Sequence, residues 1–307
     1  ATLDATAAED EQAALEAARL FTAYLEACRD ERFAMSLLPP GRFLMPGDLA
    51  GSPALTFAPL DVPEGQTAPP GSLWAMMERR YESYKAIVVR PFFRDHFARL
   101  DRQIVLVDAL SALNAGAEAV RDLESAMVQI LACFRTGRAS LLSALVRPRI
   151  DRILFAATKA DHLHHTSHDR LERILARMTG RAIERAKFSG ALIDVIALAA
   201  VRATREATVE VGRERLPSIV GTPLPGETID GEIFDGETET AVFPGDLPDD
   251  PAALFDEAGE PAARGVANLR FLRFRPPALA AGKGASPTLP HIRLDRALQF
   301  LLGDRLR

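Results

Sequence analysis

Residues 153–165 read ILFAATKADHLHH. The first five, Ile153-Leu154-Phe155-Ala156-Ala157, are an unbroken apolar run, the pattern of a strand covered on both faces. The run stops at Thr158-Lys159-Ala160-Asp161. In an open parallel sheet, ligands bind in the crevice beyond the carboxyl ends of the strands. This strand would therefore deliver a hydroxyl, an ammonium and a carboxylate to the place where a ligand sits.

The flanking segments supply the sheet. Upstream, RQIVLVDAL (102–110) is a second short aliphatic run, ending in Asp108. A helical pattern follows, with Val120, Leu123, Met127, Leu131 and Phe134 on one side. Downstream, a helix is expected over about 167–187 (Leu171, Leu175, Met178, Ile183), and then ALIDVIALA (191–199) gives a third buried run. Strand, helix, strand, helix, strand is the rhythm of a parallel sheet with crossover helices, so the fold class is α/β.

Outside this block the patterns change. Residues 7–30 predict an amphipathic helix with Ala14, Ala17, Ala18, Phe21, Leu25 and Cys28 on one face. Acidic residues at its front (Glu9, Asp10, Glu11) suit the positive end of the helix dipole. Residues 37–72 are rich in Pro and Gly and predict ordered loop. A second helix is expected from Leu73, carrying Trp74, Met77, Tyr81 and Tyr84, with Pro91 limiting its run. Beyond Thr204 turn signals cluster, and NLRFLRFR (268–275) reads as a half-exposed strand. The chain closes on an expected helix bearing Ile292, Leu294, Leu298, Leu301 and Leu302, with Gly303 as its stop.

Composition removes several classes. Hydrophobic residues make up 48% and charged residues 26% of the 307, as in ordinary globular proteins. Basic and acidic residues number 37 and 42, a net charge of −5, with no basic block or basic-aromatic stripe, so nucleic acid is not the expected partner. No apolar run approaches the roughly 18 residues of a membrane helix, and no signal peptide opens the chain. A cytoplasmic protein, not integral to the membrane, is expected. Cys28 and Cys133 lie in helical patterns and are expected as free thiols.

Thr158, Lys159 and Asp161 suit the reading of a guanine base. A carboxylate can accept hydrogen bonds from the ring N1–H and the exocyclic amine of guanine, a donor pair that adenine lacks on that edge. A lysine stem can lie along the base while its charge stays wet, and the threonine hydroxyl can tie the loop to its neighbours. The next strand ends in LAAVRAT (198–204), where backbone N–H groups of Ala200, Val201 and Arg202 can face the base oxygen. The same segments also suit a solvated strand–helix loop and a plain strand end.

With these motifs in hand, the chain resembles the YcjX-like family of bacterial P-loop nucleoside triphosphatases, stress-associated proteins related to the translation-factor class of GTPases. The matching segments are PGRFLMPGDLAGSPAL, DRQIVLVDALSALNAG, IDRILFAATKADH, LAAVRAT and LPHIRLDRALQFLLGDRLR, spread from near residue 40 to the C-terminus. The resemblance implies a P-loop NTPase-type, mostly parallel sheet with helices on both faces. It implies a helical insertion (1–100), the base-binding half of the nucleotide domain (101–210), and a C-terminal α+β extension with a closing helix (211–307). It implies a cytoplasmic protein that binds and hydrolyses GTP with Mg²⁺, though ATP is sometimes named instead. Thr158, Lys159 and Asp161 match the base-recognition motif. Ala200-Val201-Arg202 stand where related GTPases have Ser-Ala-Lys, which leaves mainly backbone contacts there.

The phosphate-binding motif G-x-x-x-x-G-K-[ST] does not occur. AGKGAS at 281–286 is nearest, but Pro277 replaces its first glycine and no strand precedes it. Family members carry that loop, with the magnesium ligands, in an N-terminal segment. The expectation is that Ala1 lies inside a longer parent chain, and that these residues alone do not hydrolyse GTP. Asp108 resembles a magnesium aspartate, but strand order in related sheets gives that position no metal role. His162, His164, His165 and His168 cluster in DHLHHTSHD, and His164 and His168 have the spacing of helical zinc ligands. They straddle a loop–helix junction without an evident carboxylate partner, so a solvated helix start is expected and no metal site. A different class of function stays open: a scaffold on a degenerate GTPase fold, binding a protein partner through the loop at 37–54.

Overall fold

The computed structural model describes residues 3–28, 41–96, 100–133, 150–180, 183–184, 191–229, 231–254, 271–277 and 289–306. Phe134, the 281–286 segment and the side chains of Leu131 and Cys133 fall outside them. The chain forms two compact units, Ala1–Leu100 and Asp101–Arg307.

The first unit is helical. α1 (Glu11–Cys28) begins where the Asp10 carboxylate accepts from the Gln12 and Ala13 N–H groups, at 2.8 and 3.1 Å. Such a cap satisfies donors that the first turn leaves without partners. Ala14, Ala17, Ala18 and Leu25 are buried along one stripe. The expected loop contains a short helix, α2 (Gly41–Leu44), and two 3₁₀ turns at 47–49 and 53–55. Its Phe43 sits between Phe21 and Phe57, with ring centres 5.3 and 5.0 Å away. α3 (Leu73–Tyr84) is capped by Ser72, whose Oγ accepts from the Ala75 N–H at 3.2 Å. Pro91 does not stop this helix. A π turn at Lys85–Val89 carries it into α4 (Arg90–Asp95), where Pro91 lies in the first turn. The widened turn accommodates a residue that has no N–H to donate.

The second unit holds the sheet. β1 (Arg102–Val107), β2 (Arg152–Ala157) and β3 (Leu192–Ala197) are parallel in the order β1-β2-β3, with Val105, Phe155 and Val195 in register. α5 (Ala109–Ala115) and α6 (Ala117–Cys133) follow β1. α7 (His168–Met178) packs on β2 and β3, burying Leu171, Ile174, Leu175 and Met178. α8 (Leu294–Leu302) covers Leu154, Ala156 and Ile196 through Ala297, Leu294 and Leu301. The sheet thus has helices on both sides, an α/β fold of the P-loop NTPase type. β2 is buried from Ile153 to Ala157, whereas β1 leaves Ile104 38% and Leu106 60% exposed. α8 is fastened by Arg102 to Leu301 O and Asp304, by Arg152 to Phe300 O, and by Arg296 to Asp194 at 3.0 Å.

After β3 the chain turns antiparallel. β4 (Arg205–Val211) and β5 (Glu214–Gly221) form a hairpin across the two-residue turn Gly212-Arg213. Gly212 has φ +66°, the conformation that such tight turns favour at glycine. β6 (Thr228–Ile229) and β7 (Glu232–Ile233) pair with each other, and β8 (Thr240–Val242) pairs with β5. Ile219, Phe234, Val242, Leu272 and Phe274 form their core. Of the expected strand at 268–275, residues 268–270 lie outside the described residues; Leu272 and Phe274 are buried, Arg273 and Arg275 are exposed, and among the described residues its pairing is a single bridge, Phe274 to Pro223.

Candidate functional site at the ends of β2 and β3

The residues after β2 are fixed by short-range geometry. Thr158 donates its N–H to Val107 O at 2.9 Å, and its hydroxyl reaches the same oxygen at 3.3 Å. Lys159 then takes the left-handed conformation, φ +61° and ψ +33°. A non-glycine residue there costs on the order of 1 kcal/mol and is found where the surroundings enforce it. It turns the chain into a 3₁₀ turn, Ala160–His162, and buries Asp161 to 4% exposure. The Lys159 ammonium points to the Asp108 carboxylate, 2.7 Å away.

Asp161 joins the two strand ends. Its Oδ2 accepts from the Ala203 N–H at 2.8 Å, and its carbonyl accepts from the Thr204 hydroxyl. Oδ1 has no hydrogen-bond partner among the described residues. The loop after β3 is also held from the other side. Ala199 and Ile292 exchange N–H···O bonds of 3.1 and 2.8 Å, and the Arg202 N–H donates to Pro290 O at 2.7 Å. Of the three amides expected to face a base, Arg202 is therefore engaged. Ala200 and Val201 donate to no described residue. The Arg202 guanidinium turns back onto Thr204 O and Glu206, at 2.9 and 3.1 Å.

Asp108 has a structural task. Its Oδ1 accepts from the Ser111 N–H at 3.1 Å and its Oδ2 from the Ser111 hydroxyl at 2.7 Å, which caps α5. With Lys159 on Oδ2 as well, this carboxylate does not fit a magnesium ion.

The histidines divide into two pairs. His168 is buried and donates from Nε2 to Ala160 O at 2.9 Å, and His162 packs edge-on against Phe274 with ring centres 5.4 Å apart. Burial pushes both below the ordinary histidine range, which keeps them neutral. The helical spacing of His164 and His168 thus does not bring them to one ligand. His164 and His165 instead meet Glu206 at the start of β4. Their ring centres are 4.2 Å apart, and His165 Nδ1 lies 2.6 Å from Glu206 Oε2. Burial acts to raise the Glu206 carboxyl, but the His165 hydrogen bond and the charges of His165, Arg202 and His164 outweigh it and hold the group below its usual range. Glu206 is not legible in the sequence because the strand that carries it, β4, is half-exposed. The signal for that strand is the alternation of Ala207, Val209 and Val211 before Gly212.

A family model described as the YcjX-like family, DUF463, matches residues 1–306. The chain belongs to the YcjX-like family. It is 36% identical over 315 residues to the Ras-like GTPase YcjX of Escherichia coli K12, an alignment covering 99% of this chain and 62% of that protein. It is 35% identical over 273 residues to the Ras-like GTPase YcjX of Shewanella oneidensis, covering 87% of this chain and 53% of that one. The chain spans between half and two thirds of the length of these curated relatives. Among the described residues, no helix is long and apolar enough to cross a membrane.

Proposed function

We propose that this chain supplies the guanine-recognition half of a GTP-binding and GTP-hydrolysing protein. Asp161 carries the reading. It stands at the carboxyl edge of the central parallel strand, with Oδ2 anchored by Ala203 N–H and Oδ1 open. An anchored carboxylate presents two acceptors at fixed spacing, which matches the N1–H and N2–H of guanine, and Oδ2 still has a second lone pair. The open amides of Ala200 and Val201, on the adjoining loop, supply donors for the base oxygen. The lysine stem of Lys159 supplies a flank for the ring. The name shared by the two relatives supports GTP as the substrate. On the family resemblance, the proposal assigns the phosphate-binding loop and the Mg²⁺ ligands to sequence other than these residues. The cytoplasmic location and the link to stress are part of the proposal and rest on the family resemblance alone.

Magnitudes bound what these residues achieve alone. Each hydrogen bond to a charged group contributes about 1.5–3 kcal/mol, so two give roughly 3–6 before ordering costs. Millimolar binding requires about 4 kcal/mol. The expected outcome is millimolar binding of GTP and GDP alike, with ATP weaker still and no measurable hydrolysis. Ligand-observed NMR titration measures the first, and phosphate release the second. Asp161→Asn is the sharper test. The amide oxygen can keep Ala203 N–H while the amide nitrogen becomes a donor, so preference should move from guanosine to xanthosine nucleotides. Equal binding of adenine and guanine nucleotides, or an Asp161→Asn protein with unchanged preference, would sink the proposal.

A further inference from the structure

His164, His165 and Glu206 are not used by base recognition, yet they converge. His165 Nδ1 is 2.6 Å and His164 Nε2 4.0 Å from Glu206 Oε2, and the three ligand atoms lie within 4.8 Å of one another. Two ligand atoms on one tetrahedral zinc ion, each at about 2.1 Å, are about 3.4 Å apart. The observed separations fall on either side of that value, so shifts of less than a typical rotamer change close the site. Two imidazoles with one carboxylate form a donor set suited to zinc and its neighbours, whereas magnesium and calcium prefer all-oxygen sites.

The surroundings orient these ligands. His164 Nδ1 lies 3.0 Å from Thr166 Oγ1 and 3.4 Å from the Thr166 N–H, which it can accept, so Nε2 is free for an ion in the tautomer that gives its Nδ1–H to the hydroxyl. Arg202 Nη2 holds Glu206 Oε1 at 3.1 Å, so the carboxylate is fixed with Oε2 toward the histidines. The His164 side chain is 12% and that of Glu206 26% exposed, while His165 is 63% exposed. The site therefore has a buried wall and an open side, through which an ion enters and a water completes its coordination. The nearby Arg202 charge limits the affinity.

We infer that His164, His165 and Glu206 form a binding site for a borderline divalent transition-metal ion of the zinc class. The histidines follow Asp161 by three and four residues, and Glu206 follows Ala203 by three. An ion here clamps the same two segments that Asp161 and Ala203 already join. It thereby adds a second tie beside the base-reading loop.

Titration of Zn²⁺ into the metal-free, untagged chain, followed by calorimetry, tests this. One ion per chain with a micromolar or tighter Kd is expected, and no comparable heat from Mg²⁺. His165→Gln and Glu206→Gln should each weaken binding at least tenfold, while His96→Gln in the helical unit changes nothing. His165 is exposed, so its substitution leaves the fold intact, and circular dichroism verifies this. Absence of stoichiometric zinc binding would overturn the inference. So would binding that survives both His165→Gln and Glu206→Gln, because the ion would then sit elsewhere.

Discussion

β1 and β2 are parallel neighbours of equal length, and each hands an aspartate to the same edge of the sheet. Asp108 follows β1 directly, is half-exposed, and has its oxygens taken by Ser111 and Lys159. Asp161 comes four residues after β2, is buried, and has one oxygen without a partner among the described residues. The strands differ in the same way. β2 is covered on both faces, whereas β1 exposes Ile104 and Leu106 on the face where α8 covers Leu154 and Ala156. Position at a sheet edge thus does not by itself leave a carboxylate oxygen without a described partner. What distinguishes Asp161 is the left-handed Lys159, which folds the chain back and aims Asp161 at the next loop.

The contrast between the strands gives the largest expected effect. Phe155→Ala removes a fully buried ring from β2 and should cost about 3–5 kcal/mol. Leu106→Ser on β1 should stay within about 0.5 kcal/mol. Denaturant unfolding of both variants measures this, and similar costs would break the comparison.

Acid should weaken the β2 end next. His162 and His168 are depressed by burial, so below about pH 6.5 the unfolded chain takes up protons that the folded chain refuses. Their contribution is complete above that pH and is lost as the pH falls toward their folded values. Each costs up to about 1.4 kcal/mol per pH unit in that window. Stability at pH 5.5 should therefore be clearly below that at pH 7.5. The depressed carboxylates Asp235 and Asp304, each at about 2, act only at lower pH, through the range below about 4. Equal unfolding midpoints at pH 7.5 and 5.5 would contradict the neutral histidines.

The smallest effect concerns Asp108. Asp108→Ala removes the α5 cap and should cost about 1 kcal/mol. Any preference for guanine over adenine nucleotides should survive it. A loss of that preference would show that the two aspartates work together and that the division drawn between them is wrong.

Much of this arrangement was legible in the residues. Five consecutive apolar positions at 153–157 can hardly be anything but an inner strand, and the three runs at 102, 152 and 192 became one parallel sheet. Three things were hidden for physical reasons. IVLV in β1 reads as buried, but hydropathy along a strand does not say whether anything covers it, and Leu106 is 60% exposed. β4 alternates glutamate, arginine and threonine with small apolar residues, so its sequence does not distinguish a half-exposed strand from a loop and does not single out Glu206. Pro91 limits a helix on sequence grounds, and sequence does not announce the π turn that admits it. The site itself was half legible. Spacing placed Asp161 beyond a strand end, but only the fold shows that its partner is Ala203 and that Pro290 engages Arg202.

The bridge between Ala199 and Ile292 has a consequence of its own. Residues 290–292 lie some ninety positions downstream of the loop after β3, yet they hold it through Ala199 and the Arg202 N–H, while Asp161 holds it through the Ala203 N–H. The shape of that loop is therefore a property of a closed circuit. The chain leaves the sheet at β3, runs through the whole antiparallel region, and returns to lock the point from which it left. A disturbance at residues 290–292, or a pull on the C-terminal helix that follows them, would reach the loop with no ligand at the point of disturbance.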